Sequence, residues 1–530
     1  MLEIREIENI IDHIHDNHPV FNAPKEQAIC ELLTSFEDLC SLSVMSSVLN
    51  PASLNKITDY MDALNMALQW VEQRCESNDF GNEQLKISET RYEQCVDLLT
   101  QYAYPYSVIC SGYISFSRKR LSAIIDDNIV TFNLNKDNNS SWSDILREYS
   151  ESSLIDLMEQ MNPVKIVKAN ELLKQNIKIE NDMLCYQLSD SIIDPFKEVA
   201  CEHWNITSTL PKSWKFDLFT LKEYKEVWIW LATLCYIHFF SCFSIKDALV
   251  RIRNSIIIQP KDNIVDYISS MSGLTKKCVE TIINYIIFEP SKKNAEIMYQ
   301  PIVELKNHML IIAPILIMGS KPERNLLAVI SSNGDKEYSK EVNDLEGLMI
   351  QELEDAVLGK ENIKIVKNKK LGECLPDIDF AILDKTSNAL LLCELKWFAA
   401  ADSAKEVYAK EDEITHGCEQ MESIMSYAMS DKKHFFNQVF GDEDGESTDL
   451  FCCVIAKHNI RTRNKYVPVI DLKRIIELFS KNLLGNVFHI IRNHEYEIDL
   501  PQDAEITYQE VKYDKFIFRI PAICFGNEWQ

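Results

Sequence analysis

The sequence predicts an α/β region over residues 299–530, preceded by a large, mostly α-helical region over residues 1–298. Three observations carry that expectation. Apolar residues recur at helical spacing in long stretches of the first 298 positions. Two runs near residue 380 alternate apolar and polar residues as strands do. Helical and strand-like runs then interleave from Leu345 to Leu484.

Taken in order, Ile29–Leu39, Ser53–Cys75, Gln84–Ala103, Trp142–Met161, Leu221–Phe243 and Thr275–Phe288 have helical periodicity, and Val108–Phe132 contains two β-rich patches. The run Val227–Ile245 carries no formally charged residue and is long enough to span a bilayer. Thr233, His238, Ser241 and Ser244 interrupt it, however, and its aromatic residues are scattered instead of gathered at the ends, so it reads as a buried core helix and no membrane partner is expected. Pro290–Asn294 has the composition of a linker, and Met309–Ile312 and Ile315–Met318 are strand-like.

The next stretch carries the chemistry. Leu345–Leu358 reads as a helix with Leu345, Leu348, Met349, Leu353 and Ala356 on one arc and Glu352 inside it, where a carboxylate needs a partner. In Asp377–Leu383 alternate side chains face opposite ways, so Asp377 and Asp379 share a face while Ile378, Phe380 and Ile382 take the other. Asp384–Asn388 has the composition of a hairpin turn. Ala389–Trp397 then repeats the pattern, placing Glu394 and Lys396 together opposite Cys393, Leu395 and Trp397. Ile414–Met429 reads as a helix carrying His416 and Gln420, Leu450–Ala456 and Tyr466–Ile470 as strands, and Leu472–Leu484 as a helix.

Carboxylates and a lysine at the ends of such apolar strands are costly unless compensated. A divalent cation compensates them: Mg²⁺, or Mn²⁺ in its place, prefers hard oxygen ligands and leaves positions for water and phosphate oxygens. Lys396 then either orients an attacking water or offsets charge on phosphorus. The set outlines metal-dependent phosphodiester hydrolysis, against the bland alternative of a surface hairpin with a cross-strand ion pair. Asp377 reads as a second ligand, as the motif aspartate itself or as a strand cap.

These residues resemble the motif of the PD-(D/E)xK nuclease superfamily. The match is Pro376-Asp377, or Asp379 in the spelling where an acidic residue precedes the aspartate by two, followed by Glu394-Leu395-Lys396. The resemblance implies a restriction-endonuclease-like fold, a mixed central sheet flanked by helices, and Mg²⁺-dependent cleavage of nucleic acid, DNA foremost. It also implies Asp379 and Glu394 as metal ligands, Asp377 as an auxiliary or substitute ligand, and Lys396 at the attacking water. Members often carry a glutamate on the helix before the motif strands, the place of Glu352, which would complete the carboxylate ring; a glutamine similar to Gln420 occurs in several branches. Large members with helical halves look like effectors of bacterial defence against phage or foreign DNA, and the same is implied for this chain. The runner-up reading is a catalytically silent interaction module in a helical scaffold.

Composition bounds the rest. Sixteen cysteines with no CxxC pair, and an N-terminus unlike a signal peptide, point to a reducing cytoplasm. His13, His15 and His18 lie beside Asp12 and Asp16 in a polar stretch that reads as helical, not as a metal cluster. With 13 glycines and no GxxxxGK[ST] or GxGxxG, the chain lacks nucleotide-cradling loops. A net charge of −26 opposes nucleic-acid binding, but the charge is uneven: residues 1–100 hold 6 basic against 18 acidic residues, residues 201–300 hold 12 against 10. The acidic N-terminal stretch therefore suits a protein partner or self-association. Arg118-Lys119-Arg120, Lys364–Lys370 and Arg461–Lys465 are the basic exceptions, each ordinarily a solvated face, the last two bordering the α/β region. The acidic loop Gly441–Glu446 lacks full EF-hand spacing and reads as a solvated insertion.

Overall fold

The computed structural model describes residues 3–47, 55–76, 87–135, 163–208, 210, 214–292, 295–333, 336–373, 375–401, 404–441, 445–458, 460, 464, 466–496 and 504–525. The chain is a mixed α/β protein. Helices α1 (Ile4–Ile11), α2 (Lys25–Ser47), α3 (Asn55–Arg74), α4 (Glu89–Asp97) and α5 (Tyr104–Ser117) open it, followed by the hairpin β1 (Leu121–Asp126) and β2 (Ile129–Leu134). Phe36 of α2, Leu64 and Leu68 of α3, and Leu99 in the turn that follows α4 form the apolar centre of this part. The first β-rich patch expected within Val108–Phe132 is thus helical up to Ser117, while the second is the hairpin.

A second core gathers α6 (Pro163–Gln175), the hairpin β3 (Ile177–Glu180) and β4 (Met183–Tyr186), α7 (Asp190–Thr207) and α8 (Leu221–Phe243) around Phe196, Trp204, Trp228 and Leu231. The apolar run expected as a core helix is α8. Its length and composition match a membrane-crossing helix, yet its most apolar window is 78% buried by the protein itself. A capping box between Thr220 and Glu223 starts it. Its polar groups are satisfied internally: Thr233 donates to the Ile229 carbonyl, Ser241 to that of Ile237, and the His238 ring meets the Asn254 carbonyl at 2.7 Å.

After α9 (Ala248–Arg253) come β5 (Ile257–Pro260), α10 (Lys261–Ser272), α11 (Lys276–Tyr285), β6 (Ile302–Glu304), β7 (Met309–Ile312), α12 (Pro314–Met318) and α13 (Pro322–Asn333). Ile315–Met318, expected as a strand, is the helix α12, because Pro314 at its first turn fixes a helical φ and needs no donor there. The boundary expected between residues 298 and 299 is also corrected. β5 pairs with β7, which pairs with β6, so a sheet crosses that point, and Val303, Leu305 and Ile311 pack into the core of α2 to α4.

The remaining elements build a five-stranded sheet in the order β12-β11-β10-β9-β8. They are α14 (Lys336–Val357), β8 (Ile363–Lys369), β9 (Ile378–Asp384), β10 (Ala389–Lys396), α15 (Ala404–Ser430), α16 (Lys432–Phe440), β11 (Asp449–Ala456), β12 (Val469–Asp471), α17 (Leu472–Lys481) and α18 (Leu484–Arg492). β8, β9 and β10 run antiparallel, whereas β11 and β12 run parallel to β10. The central strand β10 reads ALLLCELK because both its faces are covered. On one face Leu391 and Cys393 meet Leu353 of α14, Phe479 of α17 and Phe488 of α18; on the other Leu390 and Leu392 meet Ile414 and Met421 of α15 and Phe435 of α16. The lysine-rich run Lys364–Lys370 largely forms the edge strand β8, with Lys367 paired to Glu354, a common device for blunting an edge.

The last strands, β13 (Ala504–Tyr513) and β14 (Phe516–Phe525), leave this sheet: β14 pairs in parallel with β2, giving the order β1-β2-β14-β13. The expected helix Trp142–Met161 lies outside the described residues, as does most of Arg461–Lys465 and the middle of Gly441–Glu446.

Candidate active site

The site forms where β9 and β10 part. Their register runs from Asp384 opposite Ala389 to Phe380 opposite Cys393 and ends there, while β10 continues beside β11 to Lys396 opposite Ala456. At the next positions Asp379 and Glu394 share a face. The Leu395 amide donates to Asp379 Oδ2 at 2.8 Å, so the carboxylate takes the bond that a continued ladder would have used. Lys396 Nζ donates to Glu394 Oε1 at 2.7 Å and to Gln420 Oε1 of α15 at 3.3 Å. Four of the sequence-predicted residues, from two strands and a helix, therefore meet at one notch. The expected turn Asp384–Asn388 aims β10 there, with Asp384 accepting from the Thr386 amide and the Ser387 hydroxyl.

Burial governs the electrostatics. Glu394 is 4% exposed, and burial, reinforced by the Asp379 charge, pushes its carboxyl from the ordinary 4.5 to about 7 against the pull of Lys396. Burial also raises Asp379, opposed by the Leu395 amide and Lys396. Glu346 of α14 is raised by burial and by Asp379, again opposed by Lys396. Three carboxyls therefore share the field of one lysine. That donor set fits a hard divalent cation, which takes one or two carboxylates and completes its shell with water and phosphate oxygens. It does not fit a closed protein-only cage, and among the described residues no group of three or more His, Cys, Asp or Glu side chains is arranged to hold an ion by itself.

A pH dependence follows. The Glu394 value in the folded protein lies above 4.5, so its contribution to stability is full below about pH 4.5 and is lost as the pH rises through about 7. In EDTA, Glu394→Gln is expected to gain melting temperature relative to wild type progressively between pH 5 and pH 8, the range bracketing that transition. Saturating Mg²⁺ should shrink the difference, because a cation competes with the proton. Parallel curves with and without Mg²⁺ would exclude a shared ion.

Asp377 stands exposed just before β9, close enough for its charge to raise Asp379 but outside the hydrogen-bonded set. Glu352 is the correction: it faces outward with a side chain 47% exposed and pairs with Lys457 at 3.3 Å. The buried arc of α14 is Leu345, Met349, Ile350, Leu353 and Val357, whereas Leu348 is 45% exposed. Exchanging Leu348 for Ile350 in the arc turns the helix so that Glu346, not Glu352, borders the notch. His416 is solvated and pairs with Glu419. His15 and His18 are buried: His15 stacks on Trp70 at 3.6 Å and His18 meets Asp97 at 3.2 Å, each in a structural role.

The N-terminal part of α15 belongs to the helical body. Arg120, itself 3% exposed, forms a buried ion pair with Glu411; Arg118 pairs with Asp412 at 3.0 Å; both guanidinium groups lie over the Tyr408 ring, whose hydroxyl meets Ser115 at 2.7 Å. Arg324 pairs with Glu406, which accepts from the Tyr299 hydroxyl at 2.7 Å. The basic run Arg118-Lys119-Arg120 is thus largely a clamp on α15, not a solvated face. One helix is gripped at its start by the body and presents Gln420 to the site further on.

No family model, curated protein or solved structure matches this chain. Its function is therefore read from the notch itself.

Proposed function

We propose that the chain is a Mg²⁺-dependent nuclease that hydrolyses phosphodiester bonds, DNA foremost, through a restriction-endonuclease-like unit resembling the PD-(D/E)xK superfamily. The observation that carries this reading is the meeting of Asp379, Glu394, Lys396 and Gln420 where β9 and β10 separate. A mixed five-stranded sheet between helices supports the fold reading. Asp379 and Glu394 would hold the ion, with Glu346 beside them and Asp377 at the rim. When bound, the ion supplies Lewis acidity to the phosphate and lowers the pKa of a coordinated water. Lys396, anchored by Gln420, orients the water that attacks phosphorus and offsets charge as the bond to the leaving sugar oxygen breaks. The apolar layers on both faces hold β10 rigid, which fixes Glu394 and Lys396 in position.

The acidic first hundred residues, net −12, are unsuited to phosphate and on this reading engage a protein partner or a second copy. The resemblance extends the proposal to a cytoplasmic effector of bacterial antiviral defence. The alternative of a silent interaction module draws on the direct Lys396–Glu394 ion pair, which satisfies part of the charge without a cation. Incubating the purified chain with plasmid, linear duplex, single-stranded DNA and RNA, in Mg²⁺ and in EDTA, separates the two: Mg²⁺-dependent breakage of DNA is expected, and intact substrates throughout would sink the nuclease reading.

A further inference from the structure

We propose that Gly417 is a positioning residue, its missing side chain forming the slot in which the Lys396 stem is held. Gly417 lies inside α15, buried between Ile414 and Met421 where that helix crosses the sheet. A Cβ at this position would stand 2.9 Å from Lys396 Cε, 3.4 Å from Glu394 Cγ and 3.6 Å from Val454 Cγ1. Contacts of 3.4 and 3.6 Å are ordinary van der Waals approaches, so only the first of these, at 2.9 Å, demands movement. Glu394 and Val454 are fixed at neighbouring positions of β10 and β11, whereas Lys396 Cε is the end of a flexible stem. The displacement therefore falls on the amine that donates to Glu394 and Gln420.

A glycine in a helix interior weakens that helix relative to alanine. The sequence keeps one in a 27-residue helix, at the point where the Lys396 stem passes. Stability and chemistry should accordingly move in opposite directions on substitution, which a purely structural glycine would not produce. The inference rests on the nuclease reading for its kinetic arm only.

The test is Gly417→Ala, with His416→Ala on the exposed face as control. Calorimetry should give an equal or higher Tm. Acylation of the folded protein by an amine-reactive ester, mapped by peptide, should label Lys396 several-fold faster relative to exposed Lys276. With Mg²⁺ and duplex DNA, kcat should fall about 100-fold while KM stays within about threefold, the signature of a misplaced group. A lower Tm, unchanged Lys396 labelling or, in a wild type that cleaves, unchanged kcat would overturn the proposal. Faster labelling in a protein whose wild type cleaves nothing would support the slot and overturn the nuclease reading.

Discussion

On the proposed nuclease reading, Lys396→Ala is expected to lower kcat for Mg²⁺-dependent cleavage by about a thousandfold while the fold persists. Its side chain is 21% exposed and bonds to Glu394 and Gln420 at the notch, so its removal leaves the strand ladders of the sheet intact. Asp379 requires more care, since its carboxylate also accepts the Leu395 amide. Alanine there would confuse a lost charge with a loosened strand end. The substitution Asp379→Asn keeps an acceptor for that amide and removes only the charge. The expected result is a comparable loss of activity, recovered little by raising Mg²⁺, with a metal-free Tm at pH 8 no lower than wild type because one of the crowded carboxyls is gone. Retained cleavage in both variants, measured on the same DNA and confirmed by a flat EDTA control, would remove the notch from the chemistry.

What the sequence revealed of this notch was what local pattern can encode. Strict alternation fixed which faces Asp379, Glu394 and Lys396 occupy, and Asp384 to Asn388 announced the turn that brings the two strands together; both follow from side-chain geometry within a few residues. Glu352 failed by a rotation: with leucine at 348 and isoleucine at 350, two arcs fit α14 almost equally, and only packing against β10 and α17 selects the one that brings Glu346 to the site. Gly417 had a signal, a glycine within a helical period, which marks close approach when no turn is present. Pairing between distant segments left no such mark. Nothing local in residues 504–525 says that β14 will lie beside β2, nor that β5 will join β7 across an apparent linker. Arg118-Lys119-Arg120 reads as a basic surface for the same reason, because its acidic partners lie nearly three hundred residues away on α15.

That distant pairing sets the largest expected effect on stability. Arg120 and Glu411 are both nearly enclosed, with side chains 4% and 9% exposed, and a buried charge is tolerable only while its partner is present. Arg120→Ala takes the guanidinium from the buried Glu411 carboxylate, and Glu411→Ala takes the carboxylate from the buried guanidinium. Each is expected to destabilise the protein by about 3–5 kcal/mol, whereas replacing both with apolar side chains of similar volume, as in Arg120→Met with Glu411→Leu, should recover most of the loss. Urea unfolding followed by tryptophan fluorescence would measure this. The pair also joins the helical body to the helix that carries Gly417 and Gln420, so the single variants should loosen the notch before they unfold the sheet. Cleavage in the single variants should therefore fail at a lower urea concentration than the fluorescence transition, and the double apolar variant should bring the two back together. If activity and fluorescence are lost in step in every variant, α15 does not transmit the clamp to the site, and the two ends of that helix act independently.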